Sequence, residues 1–277
     1  MVQPFEIIIL GAGASLAAGL ATSIGAIPIL FGREISDRNL DIMLGFAAGV
    51  MLAASAFSLL VPALEMVPYF SSWDLEPVFI TVLGFICGGL FIHLIDRWAP
   101  HEHFIRGPNR TVEIISEGSQ KMSKRLAATW LFVIAITIHN FPEGLAVGVS
   151  FGSAIADPKL ISAGIVVALA IGLQNIPEGT AVALPLVREG YTRKEALKIT
   201  LFTGLVEPVG GLLGAAAVSI VSGILGFGMA FAAGAMIFIV SDEIIPESHR
   251  KGHERPATFG VILGFVIMMF LDNFIAV

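Results

Sequence analysis

Eight times between residues 5 and 276 the chain runs through a long, mostly apolar stretch and then meets a cluster of charge or proline. A bilayer core requires about 20 consecutive apolar residues per helix. The pattern therefore predicts eight transmembrane helices, at roughly 5–31, 41–66, 76–97, 126–150, 160–187, 195–221, 224–246 and 257–276. Together they form a single transmembrane domain covering 1–277, an all-α membrane protein. Composition agrees: 56% of the residues are hydrophobic and 14% charged, and mean hydropathy is +0.86, which no water-soluble surface accommodates. Thirty glycines suit helices that approach closely in lipid. Soluble enzymes, nucleic-acid binders and disordered chains are excluded. The lone Cys87 rules out an internal disulfide framework and reads as a packing residue. No positively charged region precedes the first apolar segment, so that segment is expected to remain in the mature protein.

The charges are sorted by side. Arg33 and Arg38 lie between spans 1 and 2; Arg97, Arg106, Arg110, Lys121, Lys124 and Arg125 between 3 and 4. Arg188, Arg193, Lys194 and Lys198 surround the turn between 5 and 6, and Arg250, Lys251 and Arg255 follow span 7. Fifteen of the sixteen basic residues thus share one face, and Lys159 stands alone on the other. Lysine and arginine concentrate on the cytoplasmic side, so both termini are expected outside. The long cytoplasmic loop, 98–125, carries His101 and His103; no further ligand stands near them, and a solvated loop accounts for the pair.

Against this apolar background one polar motif is written twice. Span 4 holds His139-Asn140-Phe141-Pro142-Glu143-Gly144, and span 5 holds Gln174-Asn175-Ile176-Pro177-Glu178-Gly179. Each intramembrane carboxylate costs about 2.5–3.5 kcal/mol on insertion scales. A chain that carries two at mid-depth uses them. Spans 4 and 5 run in opposite directions, as inverted repeats facing a shared site do. Positions i and i+4 share a helix face, so His139 with Glu143, and Gln174 with Glu178, can grip one ion from opposite sides. Asn140 and Asn175 lie about 100° further round and can serve a second. Pro142 and Pro177 each remove a backbone donor and are expected to open the helix at Ile138 and Leu173. Glu207, also followed by a proline, adds a third carboxylate on span 6. Three carboxylates at one depth repel unless cations or protons neutralise them. Carboxylate, imidazole and amide ligands without thiolate suit Zn²⁺, Fe²⁺ or Mn²⁺ better than Cu⁺.

At these residues the sequence resembles the ZIP (Zrt/Irt-like) family of divalent-metal transporters, and more closely its bacterial GufA-like branch. The paired motifs carry the likeness, and it extends over the whole chain. It implies a ZIP-type bundle with inverted repeats in a bacterial inner membrane, and inward movement of metal. It also implies a binuclear site: His139, Glu143, Gln174 and Glu178 on one ion, and Asn140, Asn175, Glu178 and Glu207 on the other, a glutamate bridging them. Met51 resembles a methionine that touches the first ion. Many members carry histidine where Gln174 stands and another soon after; this chain has neither, which implies broader selectivity, cadmium included.

Further polar groups mark a path. Asp242, Glu243 and His249 gather near the inner end of span 7, either to receive ions leaving the pore or as an interfacial polar helix end, and Asp272, near the outer end of span 8, either recruits cations or caps or pairs at the interface. His93 and Asp96 share a face of span 3. Metal is the transported substrate and no resident cofactor is expected; the expected partners are divalent ions and lipid, a homodimer being allowed. With no nucleotide-binding loop, the drive is expected from the ion gradient, membrane potential or coupled protons. A cation antiporter is the alternative transporter, but such sites favour oxygen ligands and His139 speaks for transition metals. An intramembrane metalloprotease is the alternative enzyme. It needs histidines at i and i+4 with a glutamate beside the first, and here Asn140 and Glu143 occupy those places.

Overall fold

The computed structural model describes residues 3–32, 35–66, 75–98, 117–155, 158–220 and 224–275. Among them all regular structure is helical. The long elements are α1 (Pro4–Leu30), α2 (Asp37–Ala53), α3 (Val61–Met66), α4 (Glu76–Trp98), α5 (Glu117–Gly152) and α6 (Ile161–Arg188). They are followed by α7 (Arg193–Gly204), α8 (Glu207–Ile220), α9 (Leu225–Ile239), α10 (Ile245–His249) and α11 (Glu254–Ile275). Two π-helical segments, Ala54–Leu60 and Val240–Ile244, join α2 to α3 and α9 to α10 into continuous rods. Seven rods among the described residues are long and apolar enough to cross a membrane.

Local chemistry sets the ends. Gln3 and Glu6 form a capping box at the start of α1, as Thr192 and Glu195 do at α7. The Ser36 hydroxyl accepts from the Asn39 amide at 3.2 Å and starts α2. Gly190, at φ +97°, turns the chain between α6 and α7 in a conformation other residues resist.

Three sequence expectations need correction. The segment 98–125 is not loop throughout, because α5 already begins at Glu117. Its polar run Glu117-Gly-Ser-Gln-Lys is too hydrophilic to read as a span, yet it holds no proline to stop a helix. Secondly, α5 and α6 stay helical through Pro142 and Pro177, so the donors missing opposite Ile138 and Leu173 do not end either helix. The interruption comes instead at Leu205–Val206, so span 6 is two helices, and Pro208 sits in the first turn of α8, where its missing N–H leaves no intrahelical bond unmade. Thirdly, spans 2 and 7 each contain a π-segment, which the apolar pattern does not signal.

Packing divides the helices into two sets. α1 lies against α6, α7 and α8, and α5 against α8; α2 lies against α11, and α4 against α9. The sets meet where α6 packs on α2 and α5 on α9. Contact is closest at glycines. A Cβ on Gly144 would run into the backbone carbonyl of Glu207, and one on Gly179 into that of Thr22, so the motif glycines let α5 touch α8 and α6 touch α1. Large apolar side chains face outward instead, Phe79, Phe202 and Phe274 being about 70% exposed, the reverse of a water-soluble surface.

Candidate metal centre

The two motifs face each other because α5 and α6 are joined by a tight connection through Ser153–Ile155 and Pro158–Leu160, which brings them back alongside. His139, Asn140, Glu143, Gln174, Asn175, Glu178 and Glu207 are all buried, none more than 1% exposed. One ligand atom from each of His139, Glu143 and Glu178 falls within 4.8 Å of the others. The His139 Nε2 to Glu178 Oε1 distance is 3.9 Å. That is too long for a hydrogen bond. It is close to the separation, about 3.4 Å, of two ligands on a tetrahedral ion with bonds of about 2.1 Å.

A polar chain links this cluster to Glu207. The Gln174 amide donates to Glu143 Oε1 and, at 3.0 Å, to Asn175 Oδ1. The Asn175 amide donates to Glu207 Oε1 at 2.7 Å and to the Ala18 carbonyl of α1 at 2.9 Å. Asn140 donates to the Thr203 carbonyl at 2.8 Å, two residues before the break between α7 and α8. The broken span thus brings a backbone acceptor and a carboxylate to the same place.

What lacks a partner is as informative. Among the described residues, more than half of the buried side-chain atoms without a hydrogen bond belong to this group: both ring nitrogens of His139, both oxygens of Glu178, and one oxygen each of Glu143, Gln174, Asn140 and Glu207. Buried polar atoms are nearly always satisfied. Every one of the unpartnered oxygens, and either imidazole nitrogen, has a lone pair to offer a cation, so the donor set fits a divalent ion.

Residues outside the double motif distribute as follows. Met51 is fully buried on α2. Glu243 does more than mark a path: within the π-segment its Oε2 lies 3.8 Å from His139 Nδ1, on the opposite edge of the ring from Glu178. Asp242 is half-buried. His249 is engaged locally, Nδ1 with Ser248 Oγ and the Ile245 carbonyl, Nε2 with Thr258 Oγ1. Asp272 accepts from Ser58 Oγ at 2.6 Å. His93 packs on Phe238, while the Asp96 side chain, His101 and His103 lie outside the described residues. Sequence reasoning did not find the Ala18 and Thr203 carbonyls, for which no side chain signals. It also missed Asp41, buried on α2 and paired with His253 at 2.7 Å.

The family model of the ZIP zinc transporters matches residues 108–272, a stretch that contains both motifs and Glu207. The chain belongs to the ZIP zinc transporter family. It is 44% identical to the zinc transporter GufA of Myxococcus xanthus, across 95% of this chain and 98% of that one. It is 42% identical to the zinc transporter ZIPB of Bordetella bronchiseptica, across 96% and 80%. Identity to the human zinc transporter ZIP11 is 37%, across 91% and 93%. As a ZIP family member with seven membrane-competent rods, the chain is an integral multi-pass membrane protein and a transporter, not an enzyme.

Proposed function

We propose that this protein carries divalent transition-metal ions across a bacterial inner membrane into the cytoplasm, through a two-ion site at mid-depth. The observation that carries the reading is the convergence of His139, Glu143 and Glu178 in a fully buried cluster whose lone pairs are largely unengaged. One ion is held by His139, Glu143, Glu178 and the free oxygen of Gln174, with Met51 beside it. The second is held by Asn140, Asn175, Glu178 and Glu207, Glu178 bridging. Asn175 Oδ1 accepts from the Gln174 amide and keeps a second lone pair for the ion. With the apolar part of α5, residues 126–150, taken as an eighth span and the basic helix ends taken as cytoplasmic, both termini lie outside.

Zinc is the substrate named for the relatives, and it is the expected cargo here. An amide at Gln174 is a harder and weaker ligand than imidazole, so iron, manganese and cadmium are accepted as well. The unengaged imidazole of His139 favours transition metals over the alkali ions of an antiporter. Uptake of Zn²⁺, Fe²⁺, Mn²⁺ and Cd²⁺ into liposomes tests the site, comparing wild type with Glu143→Ala and Glu178→Ala. Both variants are expected to lose uptake; equal uptake by all three proteins refutes the assignment.

A further inference from the structure

The inner ends of α2 and α11 carry a second arrangement that metal transport does not use. These helices run parallel: Gly45 abuts Ala257, Gly49 abuts Val261, and Gly260 and Gly264 abut Ile42 and Phe46. On their outer side lies an open groove of about 430 Å³, lined by Arg38 and Ile42 from α2 and by Arg255, Phe259, Gly260 and Leu263 from α11. Arg38 and Ile42 are four residues apart, as are Arg255, Phe259 and Leu263. Each helix therefore contributes a column that begins with an arginine and continues apolar, both arginines at the same end. From Arg255 to Leu263 the groove follows about 12 Å of helix.

The two arginines differ from their basic neighbours. Arg188 and Lys251 share Asp37 at 2.8 and 3.1 Å, and Arg250 holds Glu247 at 2.8 Å. Among the described residues, Arg38 and Arg255 have no carboxylate within ion-pair distance. Two cations that no described carboxylate pairs thus stand over apolar side chains that are themselves open to the surroundings, Phe259 at 71% and Leu263 at 54%.

We propose that this groove seats an anionic phospholipid of the surrounding membrane. Its phosphate lies between Arg38 and Arg255, and the first part of an acyl chain follows Ile42, Phe259 and Leu263. A free phosphate satisfies the arginines but leaves the apolar columns without an occupant. A zwitterionic lipid brings a third positive charge to two guanidiniums, whereas an anionic headgroup does not. The lipid bridges α2 and α11 where the pair leaves the bilayer. The proposal rests on the chain spanning a membrane, not on what it transports.

The test uses the purified full chain in detergent, with lipid retention followed by native mass spectrometry and stability by thermal midpoint. The probes are phosphatidylglycerol and phosphatidylcholine of identical chains, and inorganic phosphate. Phosphatidylglycerol is expected to be retained preferentially and to raise the midpoint. Affinity is expected to fall about fivefold in Arg38→Gln or Arg255→Gln and on the order of thirtyfold in the double variant. Lys194→Gln, which removes an exposed cation elsewhere, is expected to change nothing, and the single variants keep the test open should the double one not fold. Equal retention of the two lipids overturns the proposal. So does undiminished phosphatidylglycerol preference in the double variant, or equal protection by inorganic phosphate, which would mark a simple anion site. Zinc-induced stabilisation is expected to survive in all these variants, so this result and the metal-site result are read separately.

Discussion

Replacing Glu178 by glutamine is expected to move stability in opposite directions with and without metal. Glu178 and Glu143 offer ligand atoms within 4.8 Å of each other, both side chains fully buried. Two unit charges at that distance repel by about 3.5 kcal/mol at an effective dielectric of about 20. In the metal-free protein a proton taken up by either carboxylate lowers that penalty. Glutamine has nearly the same shape and no charge. At about 2–4 °C per kcal/mol for a chain of this size, the variant's midpoint in chelator is expected to rise by several degrees. Metal reverses the comparison. A divalent ion at a hundred times its dissociation constant stabilises wild type by about 2.7 kcal/mol, and in the proposed two-ion site Glu178 is the ligand common to both ions. The variant is expected to lose most of that gain. The assay is a thermal melt of purified protein in chelator and in excess Zn²⁺ or Cd²⁺. A variant that melts below wild type in chelator, or that responds to metal as wild type does, would falsify the electrostatic account of the site.

Gly179→Ala is expected to cost about 1–3 kcal/mol, because its Cβ meets the Thr22 carbonyl and α1 must separate from α6. Gly13→Ala, which meets nothing within 4 Å, is the matched control and is expected to be neutral or slightly stabilising in the same melt. Asn175→Ala strips a donor from both the Ala18 carbonyl and Glu207 Oε1; a loss of about 1–3 kcal/mol per stranded group is expected, with titration calorimetry showing one Cd²⁺ bound more weakly than the other. Glu243→Ala removes the carboxylate beside His139 Nδ1. Groups that orient a metal-binding histidine are worth roughly 10–100-fold in affinity, so metal binding is expected to weaken by that range; an unchanged dissociation constant would show that Glu243 does not position the ring.

How much of this was written in the sequence follows from what a linear pattern can encode. Apolar length alone announces the seven membrane-competent rods among the described residues, since lipid leaves backbone few alternatives. The double motif stands out because His139, Glu143, Gln174 and Glu178 are costly where they lie, and i, i+4 spacing puts His139 and Glu143 on one face, where the structure gathers them with Glu178. Positions beyond a straight helix were not readable. Glu207 was seen as a carboxylate at depth, but the break at Leu205–Val206 that starts α8 at that residue depends on how α7 and α8 pack on α1 and α5.

Glu243 shows the limit most clearly. Counted along an ideal span it belongs near the cytoplasmic end, with Asp242 and Glu247. Yet it sits in the π-segment Val240–Ile244. A π-turn holds one residue more than an α-turn, and one extra residue swings everything beyond it by about 100° around the axis. A helical wheel drawn without it assigns Glu243 the wrong face. The actual face brings its carboxylate to one edge of the His139 ring while Glu178 occupies the other. An imidazole has two nitrogens, and in metal sites the one that does not ligate commonly donates to a carboxylate. The π-segment between α9 and α10 thus brings, across the boundary between the two packing sets, a carboxylate to 3.8 Å from a ring nitrogen that has no hydrogen bond.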